Sequence, residues 1–265
     1  MEFFAICNGI PVHISDSKRG ERVLVLLHGY LETLYVWQDF ILKLPEDIRT
    51  ISIDIPGHGL SGTHQTENSL EFCANVVKDV LRVCSVDKAT VMGHSMGGYI
   101  AIECIKRYPE LFNAIVLMHS TPYSDTPEKI VDRDREIVLV KQAKLPAIAK
   151  MGIPKMFAPD NQRRFDEKIF EIVELTETHD PEGIVASIEG LKTRPDNLEV
   201  LVSTSLPVLM FFGDNDYHIS PERAKELAAA LPAAKSVFLA NSGHNGFIEE
   251  PDIVKDELIN FMPVK

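Results

Sequence analysis

The sequence predicts an α/β fold in which a mostly parallel sheet of about eight strands is flanked by helices. Short apolar runs of strand length alternate with amphipathic helical stretches over residues 1–120, and strand patterns resume after residue 206. This alternation is typical of a parallel sheet with helices on both faces. The chain has 265 residues, of which 45% are hydrophobic and 25% charged, so it can bury a large core.

Eight segments carry strand patterns. The first two are joined through Asn8, Gly9 and Ile10, which is typical of a hairpin. Most of the others are continuous apolar runs, as expected for strands that are buried on both faces. The predicted strands are residues 3–7, 12–15, 22–27, 50–53, 89–92, 114–118, 207–212 and 236–239.

Helical patterns connect these strands. Apolar residues recur at spacings of three and four over residues 70–84 and 100–108, which indicates crossover helices. The stretch from 121 to 205 has almost no strand pattern and holds seven of the sixteen prolines, so its helices should be short. We therefore predict a core of residues 1–120 and 206–265 and an inserted helical cap, or lid, of residues 121–205. The helical patterns within the predicted cap cover residues 130–140, 165–175 and 184–191.

The charge balance limits the classes of partner. Lysines and arginines number 27 and acidic residues 39, so the formal net charge is −12. Such a chain repels nucleic acid phosphates and anionic membrane surfaces, and no apolar run in the sequence is long enough to span a bilayer. We therefore expect no nucleic acid and no membrane as partners, while the sequence leaves a homo-oligomer open.

The four cysteines, Cys7, Cys73, Cys84 and Cys104, form no C-x-x-C pair, so they indicate no zinc or redox site. Three of them lie at apolar positions of helical patterns, where a free thiol packs as a small hydrophobic group. Residues 1–13 lack the basic region and the long apolar stretch of a secretory signal. These features lead us to expect a cytoplasmic protein with reduced thiols.

A serine in a glycine-rich turn is the first candidate for chemistry. Residues 93–98 read GHSMGG, directly after the predicted strand 89–92 and directly before a helical pattern. In a G-x-S-x-G elbow the serine lies on a sharp strand-to-helix turn that packs only with small neighbours. Ser95 would then lie over the N-terminus of the helix, where backbone N–H groups favour negative charge. We predict that Ser95 is a nucleophile.

A serine hydroxyl needs a base to take its proton and a carboxylate to hold that base. Among nine histidines, His244 is the best placed, because it lies in a polar loop just after the last predicted strand. His94 adjoins Ser95, but the elbow points adjacent side chains in different directions, so we expect His94 to support the turn. Three other histidines are expected at the surface or in packing, namely His13, His64 and His179. Three more lie at strand ends, where they could line the pocket: His28, His119 and His218.

The carboxylate should follow another strand, since parallel sheets carry their active sites at the carboxyl ends of strands. Residues 211–216 read FFGDND and offer Asp214 and Asp216, in the chain order serine, acid, histidine. The spacing does not choose between them, and either aspartate could instead cap the following helix.

The oxyanion that forms when serine attacks a carbonyl needs two hydrogen-bond donors. One donor is the backbone N–H of the residue after the nucleophile, Met96. The other should come from the loop after the predicted strand 22–27, where His28-Gly29-Tyr30 follows an apolar run. We predict the backbone N–H of Tyr30 as this second donor.

Together these segments resemble the α/β-hydrolase superfamily over essentially the whole length of the chain. The resemblance implies the α/β-hydrolase fold with a helical cap, and the activity of a serine hydrolase. Members with a glycine, two variable residues and then an aspartate use that aspartate as the acid, so the resemblance assigns Asp216 rather than Asp214. The segments that carry the resemblance are residues 28–30, 54–61, 93–98, 213–216 and 243–244.

Three further segments, residues 119–122, 132–136 and 191–196, are similar to the enol-lactonase-like and small carboxylesterase-like branch. The similarity makes His119, Tyr123 and Phe157 candidate substrate-binding residues, although packing of the cap against the core explains Tyr123 and Phe157 equally well. An arginine facing the pocket could hold a substrate carboxylate, the candidates being Arg133, Arg135 and Arg194. We nevertheless expect the charged run 132–136 to be a solvated helix face.

The resulting prediction is a serine hydrolase that acts on a small-molecule acyl substrate, namely an ester, thioester or lactone. Its triad would be Ser95, Asp216 and His244, and it would need neither a metal nor an organic cofactor. The negative net charge makes a neutral ester or lactone the simpler expectation. The same fold and triad also serve acyltransferases, carbon–carbon hydrolases, lyases and perhydrolases, and a ligand-binding protein is a further alternative.

Overall fold

The computed structural model describes residues 1–64 and 66–264, which contain one sheet of eight strands. The strands are β1 (Glu2–Cys7), β2 (Ile10–Asp16), β3 (Arg22–Leu27), β4 (Ile48–Ile53), β5 (Ala89–His94), β6 (Phe112–Met118), β7 (Val208–Gly213) and β8 (Lys235–Leu239). Their order across the sheet is β1-β2-β4-β3-β5-β6-β7-β8. The pairs β1/β2 and β2/β4 are antiparallel and the remaining pairs are parallel.

The eight predicted strands are all present, with ends within two residues of the predicted ones. Their short apolar runs could be recognised because the central strands are buried on both faces. In β3, Val25 and Leu27 belong to one buried apolar cluster and Leu24 and Leu26 to another. Successive side chains of a strand point to opposite faces, so the two clusters lie on opposite sides of the sheet. The prediction of a mostly parallel α/β sheet is confirmed.

Eleven α-helices occur in the described residues. They are α1 (Gln38–Ile41), α2 (Leu70–Val83), α3 (Met96–Arg107), α4 (Pro127–Lys141), α5 (Leu145–Gly152), α6 (Asp166–Glu177), α7 (Pro181–Lys192), α8 (Leu198–Ser203), α9 (Pro221–Ala230), α10 (Gly246–Glu249) and α11 (Pro251–Phe261). The first buried cluster includes residues of α2, α3 and α9, and the second includes residues of α4, α6, α7 and α11. Each face of the sheet is therefore covered by helices.

Five of these helices, α4 to α8, lie between β6 and β7. Helical patterns predict α4, α6 and α7, whereas α5 and α8 have only eight and six residues and carry too few turns to show a period. Prolines stand in the first turn of α4, α5 and α7. A proline is tolerated there because that position has no intrahelical acceptor for its missing N–H, so these prolines begin helices instead of bending them.

All four cysteines are buried free thiols. Burial raises the pKa of the Cys73 thiol to about 12, so this thiol stays protonated at neutral pH. No helix within residues 1–64 and 66–264 is both long enough and apolar enough to span a bilayer.

Candidate active site

Ser95 lies on the turn between the last residue of β5 and the first residue of α3. Its backbone has φ 48° and ψ −112°, in the positive-φ half of conformational space that residues other than glycine rarely adopt. Two hydrogen bonds hold this turn: the N–H of Ser95 donates to the carbonyl of Met118 over 2.9 Å, and Ser120 Oγ donates to the carbonyl of Ser95 over 2.8 Å. The strained turn is thus fixed from the end of β6.

The glycines on either side of Ser95 are required by close packing. A Cβ at Gly93 would collide with the backbone carbonyl of Gly97, and a Cβ at Gly97 would collide with the carbonyl of Leu27 in β3. These neighbours are backbone atoms and cannot move aside. The turn therefore brings α3 against the sheet only with glycine at both positions.

A buried carboxylate and an imidazole lie beside this turn. His244 Nδ1 is 2.7 Å from Asp216 Oδ2, while the second oxygen of Asp216 accepts the backbone N–H groups of His218 at 2.7 Å and Ile219 at 3.0 Å. Burial alone would raise the pKa of Asp216, but the charge of His244 and the hydrogen bonds of His119 and His244 outweigh it and hold that pKa well below its usual range. Asp216 is therefore a carboxylate at neutral pH.

Asp214 occupies a different environment. It is exposed, and its backbone N–H donates to the carbonyl of Leu239 in β8 over 3.0 Å. Of the two aspartates that the sequence left open, the structure brings Asp216 to His244 and leaves Asp214 in solvent.

Ser95 and His244 border one cavity of about 600 Å³, together with Tyr30 and Met96. Among the described residues, no protein acceptor takes up the backbone N–H of Tyr30 or Met96, and no hydrogen bond joins Ser95 Oγ to His244. Catalytic hydrogen bonds often shorten only when a substrate is bound. The arrangement collects a hydroxyl, an imidazole and two N–H donors around a single space.

His94 and His28, two of the other histidines near the elbow, are held in place by hydrogen bonds. His94 Nδ1 lies 2.8 Å from Glu32 Oε2, and His94 Nε2 lies 2.8 Å from the backbone carbonyl oxygen of His244. His28 Nε2 accepts the N–H of Ile55 at 2.9 Å. His94 thus supports the loop that carries His244, and neither ring is available as a base.

The three candidate substrate-binding residues have different positions. Tyr123 borders the cavity. His119 and Phe157 are not among its described lining residues, because His119 lies beneath it against Asp216 and Phe157 is 1% exposed and packs against Phe165, with ring centroids 5.9 Å apart. Their proposed contact with substrate is therefore corrected to packing for Phe157 and to contact with Asp216 for His119.

The three arginines considered as carboxylate-binding candidates also differ in position. Arg133 and Arg194 border the cavity and share the buried carboxylate of Asp125, at 3.3 Å and 2.7 Å respectively. Arg135 is 73% exposed and pairs with Asp132. The expectation of a solvated helix face is correct for Arg135 and wrong for Arg133, because α4 turns the face that carries Arg133 towards the cavity.

Two buried glutamates near the site were not singled out from the sequence. Glu249 accepts the N–H groups of Ala158 at 2.8 Å and Gly243 at 2.7 Å, so it ties the loop before His244 to residues between β6 and β7. Glu32 accepts the N–H of Gly29 at 2.6 Å and pairs with His94. An acidic residue among apolar neighbours is the signal that could have drawn attention to Glu32, which lies between Leu31 and the apolar run Leu34–Trp37, whereas Glu249 is followed by Glu250 and has no such signal.

His119, Asp216 and His244 each place one potential ligand atom within 4.8 Å of the others, which is close enough for a metal ion. Nδ1 of each imidazole is already a hydrogen-bond partner of Asp216 Oδ2. A metal ion would need both nitrogens free of protons. The cluster therefore fits a carboxylate, Asp216, that is hydrogen-bonded by two imidazoles better than it fits a metal site.

Comparisons with known proteins identify the family of the chain. The family model described as alpha/beta hydrolase fold matches residues 22–251. The chain is 25% identical to the pimeloyl-[acyl-carrier protein] methyl ester esterase of Vibrio parahaemolyticus over 235 residues, which cover 86% of this chain and 89% of the esterase.

Solved structures share the fold. A thermophilic esterase from Thermogutta terrifontis superposes with a TM-score of 0.92 at 24% identity, covering 98% of this chain and 97% of the esterase. The enol-lactonase from Burkholderia xenovorans LB400 gives 0.89 at 23% identity, covering 98% of this chain and 99% of the lactonase.

Proposed function

Because the chain belongs to the alpha/beta hydrolase fold family, we propose that it is a serine hydrolase that cleaves a small carboxylic ester, thioester or lactone. The observation that carries the proposal is the 2.7 Å contact between His244 Nδ1 and buried Asp216, at a cavity that Ser95 also borders. A pure ligand-binding protein has no physical need for a carboxylate that orients an imidazole towards a strained serine.

The mechanism follows from the hydrogen-bonding capacity of each group. Asp216 is an acceptor, so His244 Nδ1 carries the proton and Nε2 is left as the base. Nε2 removes the proton of Ser95 as Oγ attacks the carbonyl carbon of the substrate, and Asp216 stabilises the imidazolium that forms. The imidazolium then protonates the leaving group, which departs and leaves an acyl-enzyme on Ser95. Water activated by His244 attacks this acyl-enzyme and releases the acid.

The oxyanion of each tetrahedral intermediate would be held by the backbone N–H groups of Met96 and Tyr30. Met96 is the first residue of α3, so its N–H points out of the helix where the dipole favours negative charge. In a site screened from water, one such donor contributes on the order of 3 kcal/mol to transition-state stabilisation.

The proposal that the substrate is a small molecule rests on the volume of the cavity and on the residues that form its wall. A cavity of about 600 Å³ lies within the range of small-molecule sites. Residues from the stretch between β6 and β7, including Tyr123, Ile153 and Met156, form part of its wall. We propose that this stretch, residues 121–205, is a cap over a core formed by residues 1–120 and 206–265. The names of relatives, which include esterases and an enol-lactonase, support an ester-acting class.

Labelling with a fluorophosphonate probe, together with turnover of short-chain nitrophenyl esters, tests the proposal. We expect the wild type to be labelled and active and Ser95→Ala to be neither. Ser124→Ala is the matched control, because Ser124 also borders the cavity, and it should be labelled and active. Labelling of Ser95→Ala at the wild-type rate would refute the nucleophile. Labelling of the wild type without ester turnover would favour the acyltransferase, carbon–carbon hydrolase, lyase or perhydrolase alternatives.

A further inference from the structure

His119, the residue that follows β6, has a protonation state that its neighbours fix. Its Nε2 lies 2.9 Å from the backbone nitrogen of Gly246, and a backbone N–H can only donate. Nε2 must therefore be unprotonated. The proton of the neutral ring is on Nδ1, which lies 3.2 Å from Asp216 Oδ2 and donates to it.

Asp216 Oδ2 thus receives two imidazole N–H groups, one from His119 and one from His244 at 2.7 Å. Its Oδ1 receives the two backbone N–H groups of His218 and Ile219. Four donors from three segments of the chain therefore determine where this carboxylate lies. The rotation of the carboxylate about its χ2 angle, which would change the direction of the His244 ring, is blocked on both oxygens.

The backbone of His119 is held in an unusual conformation. Its φ is 47°, in the left-handed region, and its N–H donates to the carbonyl of Phe211 in β7 over 3.0 Å. Such a conformation is unfavourable for a residue other than glycine and persists only where the surroundings fix it. The side chain is fully buried. It is the strained turn after β6 that aims the ring at Asp216.

We propose that His119 is a positioning residue for the acid of the triad: as the neutral Nδ1–H tautomer it fixes the Asp216 carboxylate and takes up part of the negative charge that Asp216 presents to His244. The inference rests on the triad proposed above. His119 does not border the cavity, so it acts on substrate only through Asp216 and His244.

The groups that face His119 keep it neutral. The ring of His244 is 5.6 Å away and the ring of His94 is 6.3 Å away, measured between centroids, and Asp216 is the facing carboxylate. Burial, which opposes a charged ring, outweighs the attraction of Asp216 and lowers the pKa of His119 to about 4. A second proton would also have to displace the N–H of Gly246.

Two substitutions separate the two hydrogen bonds of the ring. In His119→Asn the side-chain amide can occupy the place of Nδ1–H and donate to Asp216, while the contact with Gly246 is lost. In His119→Gln the amide oxygen can replace Nε2 and accept from Gly246, while the donor to Asp216 is lost. The tautomer of the wild-type ring can be read independently from the ¹⁵N chemical shifts of labelled histidine.

We expect His119→Asn to keep kcat within about threefold of the wild type and His119→Gln to lose roughly ten- to a hundredfold, the range for a hydrogen bond to a charged group. KM should change little in either variant. In His119→Gln the acid limb of the kcat/KM profile should move to higher pH, since Asp216 then presents more charge to His244, whereas in His119→Asn it should stay in place. A purely structural role would not move this limb.

The inference would be overturned if His119→Asn lost more kcat than His119→Gln. It would also be overturned if both variants kept the kcat and the pH profile of the wild type. An Nε2–H tautomer of His119 in the wild-type protein would overturn it too, a measurement that holds even if neither variant folds. These outcomes are distinct from failure of the proposed function, which would appear as Ser95→Ala retaining labelling and activity.

Discussion

Glu32 Oε2 lies 2.8 Å from His94 Nδ1, and both side chains are fully buried. The other ring nitrogen of His94 lies 2.8 Å from the backbone carbonyl oxygen of His244. Both partners are acceptors when Glu32 is ionised, so both nitrogens of His94 carry protons and the ring is an imidazolium. Burial by itself would lower the pKa of His94, but the charge and hydrogen bond of Glu32 raise it above its ordinary value. Of the histidines near Ser95, His94 is therefore charged and His119 is neutral.

Replacing Glu32 with glutamine should leave His94 without its counter-ion. Breaking a buried pair from one side costs on the order of 3 kcal/mol, and we expect this decrease in the free energy of unfolding, measured by urea denaturation. Activity should fall as well, because His94 holds the loop of His244. The control is Glu46→Gln, since Glu46 is 92% exposed and its oxygen is 3.9 Å from Arg19; it should change stability by less than about 0.5 kcal/mol.

The cost of Glu32→Gln should depend on pH. The pKa of Glu32 is lowered, since the attraction of His94 outweighs burial, so its contribution is present above the ordinary value of 4.5 and is lost as the pH falls through the folded value. The pKa of His94 is raised, so its contribution is present below 6.5 and is lost as the pH rises through the folded value. The variant should therefore lose most stability between pH 4.5 and 6.5. A loss that is constant from pH 5 to 10 would contradict the charged pair.

Asp216→Asn and Asp214→Asn should differ sharply in activity. Asparagine at 216 can present an amide donor to His244 and favour the wrong tautomer, so we expect kcat to fall roughly 10³- to 10⁴-fold. Asp214 is exposed and its side chain is not needed at the cavity, so kcat of Asp214→Asn should stay within about twofold. Steady-state kinetics on a nitrophenyl ester measure both. Equal losses in the two variants would remove the assignment of Asp216 as the acid.

Arg133 should favour substrates that carry a carboxylate. Its side chain is 11% exposed and borders the cavity, with Asp125 at 3.3 Å and Glu136 at 3.7 Å as its carboxylate neighbours. A substrate carboxylate would gain a charge-assisted hydrogen bond from the guanidinium. We expect Arg133→Gln to raise KM for nitrophenyl hemiglutarate roughly tenfold more than for uncharged nitrophenyl valerate.

The matched control for this prediction is Arg135→Gln, because Arg135 is 73% exposed and pairs with Asp132 outside the cavity. It should leave the KM ratio of the two esters unchanged. If Arg133→Gln raises both KM values equally, Arg133 shapes the cavity without selecting for charge, and the neutral ester or lactone expected from the net charge is favoured.

Mild acid should destabilise the protein because buried histidines resist protonation. Burial lowers the pKa of His119 and of His179 to about 4. The unfolded chain takes up these protons near pH 6.5 and the folded chain does not, so the free energy of unfolding falls as the pH decreases below 6.5. Each of the two should contribute on the order of 1 kcal/mol of loss between pH 7.5 and 5.5, with His94 acting in the opposite direction.

Urea denaturation at pH 7.5 and 5.5 measures this effect. In His179→Asn, where the amide oxygen can still accept the N–H of Gly59, the loss between the two pH values should be smaller by about 1 kcal/mol. His64→Asn, at an exposed position, should leave the loss unchanged. An unchanged loss in His179→Asn would show that His179 titrates alike in the folded and unfolded chain.

Local patterns in the sequence were sufficient for the strands, the longer helices and the position of Ser95. Each depends on short-range patterns: a short apolar run or a 3.6-residue period over one element, and a turn in which a Cβ at Gly93 would collide with the backbone of Gly97. Each of these features lies within a single helix, strand or turn. The short helices α5 and α8 were missed because they contain too few turns to establish a period.

The spacing of residues left Asp214 and Asp216 open, and the tertiary structure brought Asp216 to His244. It also turned Arg133 towards the cavity and placed His119 against Asp216 and Glu32 against His94. These relationships join residues 28 to 97 positions apart along the chain or depend on which face of α4 packs inwards. No local period encodes such a contact, because it depends on the path of the whole chain through β6, α4 to α8 and β7. The sequence therefore determined the elbow and its serine, while the packing of distant strand ends decided which charges surround it.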